Sequence, residues 1–431
     1  MSRKRGAFIV AAFAAGFASC AGEPRIERAS VERVLATLAA DSMGGRRAFS
    51  PAADQAAAFI KAEFAAIGLA RFDQLPDYLQ PFTVYAFSPA RASVVLNGRR
   101  VPSANLLVAL ASDTVSWDTN DSIRVAVVAA ADDPMAMLPG ILRDQRDAMV
   151  LIHPRHGQVF EALRGSLGVR RSLERTGGTS RVFILSSEPR VVGYRVEATA
   201  NVTQLAGANV VGVIPGRRER EVVLFSAHYD HIGIVAPQDG DSVANGANDD
   251  ASGTTAVIEL ARYFKAKRRP ERTLVFAAFT AEEAGGHGAR YFARQVESSH
   301  IVAMFNIEMI GKPAAQGYHA AWITGFDRST FGPILQSAVA GTAFSFHPDP
   351  YPAENLFLRS DNATLARLGV PAHSISTTPI DVDPDYHQVT DELATLDLDH
   401  VTATIRGIAA GAWPIVAGAA TPTRIEWTPR L

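Results

Sequence analysis

Five short stretches of the sequence hold residues able to do chemistry together: His228-Tyr229-Asp230-His231, Asp249-Asp250 within GANDDASG, Glu282-Glu283, Glu308, and Tyr386-His387. Adjacent acids repel, and a surface loop gains little from holding two carboxylates side by side; a bound cation gives a reason to keep them. Imidazole and carboxylate without thiolate suit zinc, with manganese or cobalt as substitutes. Two imidazoles and three acids exceed what one zinc with an open position needs. They suit two metals about 3.5–4 Å apart that share a carboxylate. One member of the Asp249-Asp250 pair then neutralises two cations while its neighbour supports the loop. Glu282-Glu283 asks for a similar division of labour. One carboxylate binds a metal and the other takes a proton from the attacking water, general-base help of about 10²–10⁴ in rate.

These stretches need elements that deliver them to one place. EVVLFSAH, RTLVFAAF, HIVAMFNIEMI and PAHSIST read as buried strands, and a chemically able stretch follows each. SGTTAVIELARYF, HGARYFARQV, STFGPILQSAVAG, SDNATLARLG and DLDHVTATIRGIAAGAWPIVA read as helices between and after them. Near-continuous apolar strands alternating with helices predict an α/β fold, a mostly parallel mixed sheet sandwiched by helices, over residues 205–420. In such sheets, sites gather beyond the carboxyl ends of the strands. Residues 24–80 form an N-terminal helical part of the same domain. Within it SPAADQAAAFIKAEFAAIGL predicts a helix with Ser50 as N-cap, Pro51 in the first turn and Gly68 at the end. Between them, residues 82–200 carry short β-type runs (ASVVLNG, SIRVAVVAA, DAMVLIHP, SRVFILSS) and few clustered polar groups. This block reads as an inserted β-rich domain.

The totals narrow the function classes. The chain has 431 residues, 47% hydrophobic and 20% charged, with net charge −2, so nothing in it calls for nucleic acid, whose binders carry a basic patch or stripe. The N-terminus has a basic start (Arg3, Lys4, Arg5) and an apolar run from Ala7 to Ser19. That run is shorter than the roughly 20 residues a bilayer span needs, but it suits a secretory signal over residues 1–20. Phe17-Ala18-Ser19-Cys20 resembles the lipobox of bacterial lipoproteins. The expectation is an exported protein with a lipid anchor on Cys20, placed on the outer membrane facing the periplasm, or else plain secretion. Cys20 is the only cysteine, so no intrachain disulfide can form.

In their order, HYDH, GANDDASG, EEAGGHGA, NIEMIG and YHQVTDE resemble the motifs of the di-zinc exopeptidases, the group of bacterial leucyl aminopeptidases and glutamate carboxypeptidase II. LAADSMGGRRAFSPAADQAAAFIKAEFAAIGL is similar to that family's N-terminal lead-in. The inserted block lies where many members carry a protease-associated domain, a match of position and length. The resemblance implies the phosphorylase/hydrolase-like fold, a peptide substrate and two zinc ions. It implies that His228 and Glu308 bind the first metal, Glu283 and His387 the second, and Asp249 both. Glu282 would be the general base, Tyr386 a donor to the oxyanion, and Asp230 a partner orienting the His228 ring. Asp250 would support the bridging loop, with a cis peptide between Asp249 and Asp250. Glu308 departs from the family's usual Asp in NxDMxG, which bears on metal spacing and occupancy. His231 and His287 read as loop or core histidines. Ser360-Asp361 resembles an S-D-H pocket motif with Asn362 in place of the His, and Ser360 is also a plausible N-cap. The best reading is an exported aminopeptidase. A carboxypeptidase of the same family, a single-zinc glutaminyl-cyclase-like acyltransferase and a non-catalytic binding relative remain open, as does the oligomeric state.

Overall fold

The computed structural model describes residues 24–378 and 380–427, so the expected signal segment and Cys20 lie outside the described residues. The described chain opens with helices α1 (Arg28–Leu38) and α2 (Pro51–Ile67). Ala53, Ala56, Ile60 and Phe64 bury one face of α2, and Gly68 ends it at φ 76°, a left-handed position that glycine takes without a Cβ penalty. Ser50 stands before α2, but its hydroxyl donates to the carbonyl of Arg47 instead of capping the helix.

Strand β1 (Leu79–Leu96) then leaves the main sheet for the inserted block. There follow β2 (Leu106–Ala109), β3 (Arg124–Val128), α3 (Pro134–Arg143), β4 (Ala148–Ile152), α4 (Gly157–Leu167) and β5 (Arg181–Leu185). They build a separate four-stranded sheet in the order β2-β5-β4-β3, with β3, β4 and β5 parallel. The insert is β-rich as expected, with two helices that the expectation did not include. Their signals are weak, since α3 carries Pro139 inside it and α4 opens on a glycine. β6 (Tyr194–Ile214) returns to the main sheet, paired antiparallel with β1 from Leu96–Tyr194 to Leu79–Val210. The expected limits at 82 and 200 therefore fall inside two long strands.

The remainder alternates as predicted: β7 (Arg218–His228), α5 (Gly253–Ala266), β8 (Arg272–Phe279), α6 (His287–Gln295), β9 (Ile301–Ile307). Then come β10 (Ala320–Ile323), α7 (Phe331–Ala338), β11 (Ser345–Pro348), α8 (Asn362–Ala366), β12 (Ala372–Ser376) and α9 (Leu398–Val416). The main sheet runs β11-β10-β12-β9-β7-β8-β6-β1. β12, β9, β7 and β8 are mutually parallel, while β6 and β1 on one side and β10 on the other introduce antiparallel pairs. Side chains alternate across β7: Val223, Phe225 and Ala227 face the layer of α1, α2, α5, α7 and α9, and Leu224 faces α6 and α8. Phe225 packs its ring 4.9 Å from Phe305 and 5.3 Å from Phe276, holding the three central strands together. No helix among the described residues is long and apolar enough to cross a membrane.

Candidate active site

Register places the first two site residues. β7 pairs with β9 through Ser226–Asn306, so two residues further on His228 stands level with Glu308, just past the end of β9. The chain visits β8 on one side of β7 and then β9 on the other, and ligands collect at such a reversal. His228 Nε2 lies 3.1 Å from Glu308 Oε1 and 3.3 Å from Asp249 Oδ1. Its Nδ1 lies 3.0 Å from the backbone carbonyl of Asp230, whereas the Asp230 carboxylate is 3.9 Å away. The ring is thus oriented by the main chain of Asp230, and that residue's Oδ1 accepts the N–H of Glu282 instead.

The loop from Gly246 to Gly253 is fixed from three directions. The Asp391 carboxylate accepts the N–H groups of Asn248 and Asp249. Met309, Ile310 and Gly311, directly after Glu308, donate their N–H groups to Asp250, Ser252 and Asn248. Gly253 has no room for a side chain: a Cβ would sit 2.2 Å from the carbonyl of Ile307. The Asp249–Asp250 peptide is cis. Asp249 sends Oδ1 toward His228 and Oδ2 to 3.2 Å from His387 Nε2, so a single carboxylate touches both imidazoles. His387 Nε2 also lies 3.1 Å from Glu283 Oε1. Asp250 comes within metal-binding reach of His228 and Glu308 as well. Its oxygens, however, already accept the N–H groups of His228, Gly253 and Met309, which suits support more than ligation.

Glu282 lines the cavity beside His228, Asp249, Glu283 and Glu308, opposite Trp322 and Leu356. Tyr386 stacks on His387 with ring centres 4.0 Å apart and faces the same cavity. The electrostatics follow from packing acids out of water. Burial pushes Asp230 up to about 6, with Glu283 adding to the shift. Burial likewise raises Glu282 well above the usual carboxylate range, helped by the charges of Asp361, Glu308 and Glu283. Burial lowers His387, but its contacts with Asp249 and Glu283 overcome that and hold it up at about 10. A site that draws positive charge this strongly, with N and O donors in two groups and no sulfur, fits a pair of divalent cations.

The structure brings all nine predicted residues to one rim. It adds four that the sequence did not single out for these tasks. His231, read as a loop or core histidine, is 1% exposed and lies 3.2 Å by Nδ1 from Glu283 Oε1. Ser360 donates to Glu308 Oε2 and accepts from Asn306, so it holds the departing Glu in place. Asp391 sits inside the quoted YHQVTDE stretch, but the N–H groups it accepts, those of Asn248 and Asp249, are 143 and 142 residues away in the chain, so no local pattern marks it. Arg46, within the lead-in, is fully buried and donates to the carbonyls of Leu38, Tyr229, Asn245 and Gly246. Asp361, behind Glu282, has two buried oxygens without a hydrogen-bond partner, and burial pushes it up to about 7. His287 is buried on α6 and belongs to neither group of candidate metal donors among the described residues.

Residues 209–412 match the profile described as Peptidase family M28. A protein of Leptosphaeria maculans described as "Probable zinc metalloprotease" is 36% identical over 163 residues, 37% of this chain and 35% of that protein. A vacuolar membrane protease of Schizosaccharomyces pombe is 29% identical over 164 residues, 37% of this chain and 18% of that one. The match thus spans about a third or less of the length of these curated relatives. Among solved structures, an aminopeptidase from Aneurinibacillus sp. strain AM-1 superposes with TM-score 0.55 at 18% identity, covering 94% of this chain and 97% of that one. A zinc aminopeptidase from Bacillus subtilis gives TM-score 0.55 at 16% identity, covering 95% and 100%. At these identities the superpositions establish the shared fold.

Proposed function

Residues 209–412 belong to peptidase family M28, and from that premise we propose that the protein is a zinc-dependent exopeptidase that removes residues from the N-termini of peptides. The observation that carries this reading is the pair of donor groups joined through the two oxygens of Asp249, with Glu282 beside them. His228, Asp249 and Glu308 would hold the first zinc and Asp249, Glu283 and His387 the second, with Mn²⁺ or Co²⁺ as substitutes. Zinc bound there would lower the pKa of an attacking water and polarise the scissile carbonyl.

The chain's own residues do the rest. Glu282 accepts the proton of the attacking water and returns it to the leaving amine; its N–H is fixed on Asp230, which aims the side chain from a held backbone. Tyr386, oriented by its stacking on His387, donates its hydroxyl to the oxyanion that develops on the carbonyl. Met309, Trp322 and Leu356, lining the same cavity, offer an apolar wall for the side chain of the substrate's terminal residue. A carboxypeptidase is the second reading, favoured by one observation: Arg359 lines the same cavity and suits a terminal carboxylate.

Paired peptides separate the two. Zinc-supplemented protein is incubated with one peptide blocked at its N-terminus and another blocked at its C-terminus, and the products are weighed by mass spectrometry. Loss of residues only from the peptide with a free amine is expected. Loss only from the one with a free carboxylate would make it a carboxypeptidase. Conversion of an N-terminal glutamine to pyroglutamate would make it an acyltransferase. We further propose export with a lipid anchor on Cys20, motivated by the basic start, short apolar run and FASC stretch. Cys20→Ala should abolish fatty-acid labelling and membrane attachment, and unchanged labelling would refute the anchor.

A further inference from the structure

His231 stands one residue beyond Asp230, yet it is directed at the second donor group instead of at the core. Its Nδ1 lies 3.2 Å from Glu283 Oε1 and 3.7 Å from Asp249 Oδ2. His387 Nε2 lies 3.1 and 3.2 Å from the same two oxygens. Four donors at zinc bond lengths of 2.0–2.1 Å in a tetrahedron are about 3.3 Å apart along each edge. These separations are of that size. The two imidazole rings meet edge to face with centres 5.6 Å apart, close to the roughly 5 Å expected of two imidazoles on one tetrahedral ion. Both ring nitrogens of His231 are buried, and neither has a hydrogen-bond partner in the protein.

The placement of the ring is built in. The N–H of His231 donates to the carbonyl of Arg46, whose guanidinium in turn holds the carbonyls of Tyr229 and Gly246 on either side. The ring lies against Gly246, where an added Cβ would come within 2.5 Å of it. The backbone and the glycine beneath thus fix the imidazole with its Nδ1 toward Glu283.

We propose that His231 is a fourth protein ligand of the second zinc, an inference that rests on the metallopeptidase reading. The two positions then differ in kind. His231, His387, Asp249 and Glu283 close the second one, as in structural zinc sites, while His228, Asp249 and Glu308 leave the first with an open coordination position. The second ion is therefore the tightly held one, and the first is the one that exchanges.

The test is zinc binding, measured by competition with a chromophoric chelator and by metal analysis after dialysis. Wild-type protein should hold two zinc ions of unequal affinity. His231→Phe, which keeps a ring of similar size without a donor, should weaken the tighter ion by at least about 10–100-fold, the scale of losses at supporting residues of metal sites, and leave the weaker one unchanged. Both affinities unchanged in His231→Phe, or both weakened alike, would overturn the proposal. Where that variant fails to fold by circular dichroism, His231→Leu is read against the same two outcomes. Wild-type protein that takes up no zinc would overturn the metal reading of the whole site and this inference with it.

Discussion

The described residues contain two sets of parallel strand ends, and one of them gathers the candidate metal donors. In the insert, β3 and β4 are followed directly by Ala129 and His153, with polar residues at hand just as on the main rim. There the polar groups close their own turns. Asp132 accepts the N–H of Ala129, Asp133 caps α3 through the N–H of Met135, His153 accepts from Arg155, and His156 reaches the carbonyl of Ala129. On the main rim the acids and imidazoles are buried or half-buried and point at one another, from residues far apart in sequence. A strand end is thus only an opportunity. Like charges gathered out of water, with backbone groups holding each in place, are what separates chemistry from capping.

That contrast can be broken in three ways. Glu282→Gln keeps the shape of the rim and removes its proton acceptor. kcat should fall by about 10²–10⁴ with zinc content unchanged, and a kcat near wild type would show that the convergence of acids does not carry the reaction. Arg46→Met leaves four buried carbonyls on the rim side without their donor. Urea denaturation should show a loss of about 3–5 kcal/mol, whereas a loss below about 1 kcal/mol would mean that the loops hold themselves. Asp133→Ala removes one cap on the insert side and should cost about 0.5–2 kcal/mol with kcat/KM unchanged. A fall in kcat/KM in that variant would give the insert's strand ends a part in catalysis and erase the contrast.

The parallel strands of the main sheet were legible because burial on both faces makes them near-continuous apolar runs, and the residues after them stood out by type. Strands β10 and β11, the last two on one side of the sheet and each four residues long, carry too little pattern to be read. α3 and α4 were hidden by an internal proline and an opening glycine. The direction of the His231 ring is not legible for a different reason. β7 ends at His228, so the alternation that assigns side chains to faces stops there, and the direction of the ring is set by Arg46 and Gly246 from elsewhere in the chain. Ser360 acts through a hydrogen bond to Glu308, and Asp391 through two from the loop of Asp249, all between residues far apart in the chain. Contacts of that kind have no period and leave no mark on a sequence.

The two long strands that join the insert to the main sheet have a practical side. β1 and β6 run 18 and 21 residues and pair along their common length, with one register shift between Thr199 and Ala200. The insert is therefore mounted on a stiff ribbon instead of hung from a linker. A cut between Leu96 and Tyr194, closed by a two-residue turn, would leave that ribbon as a hairpin and keep the edge of the main sheet paired. The far end of the ribbon is a point at which the insert can be exchanged as a unit, and with it would go Arg171, which lines a cavity beside His231 and Glu283.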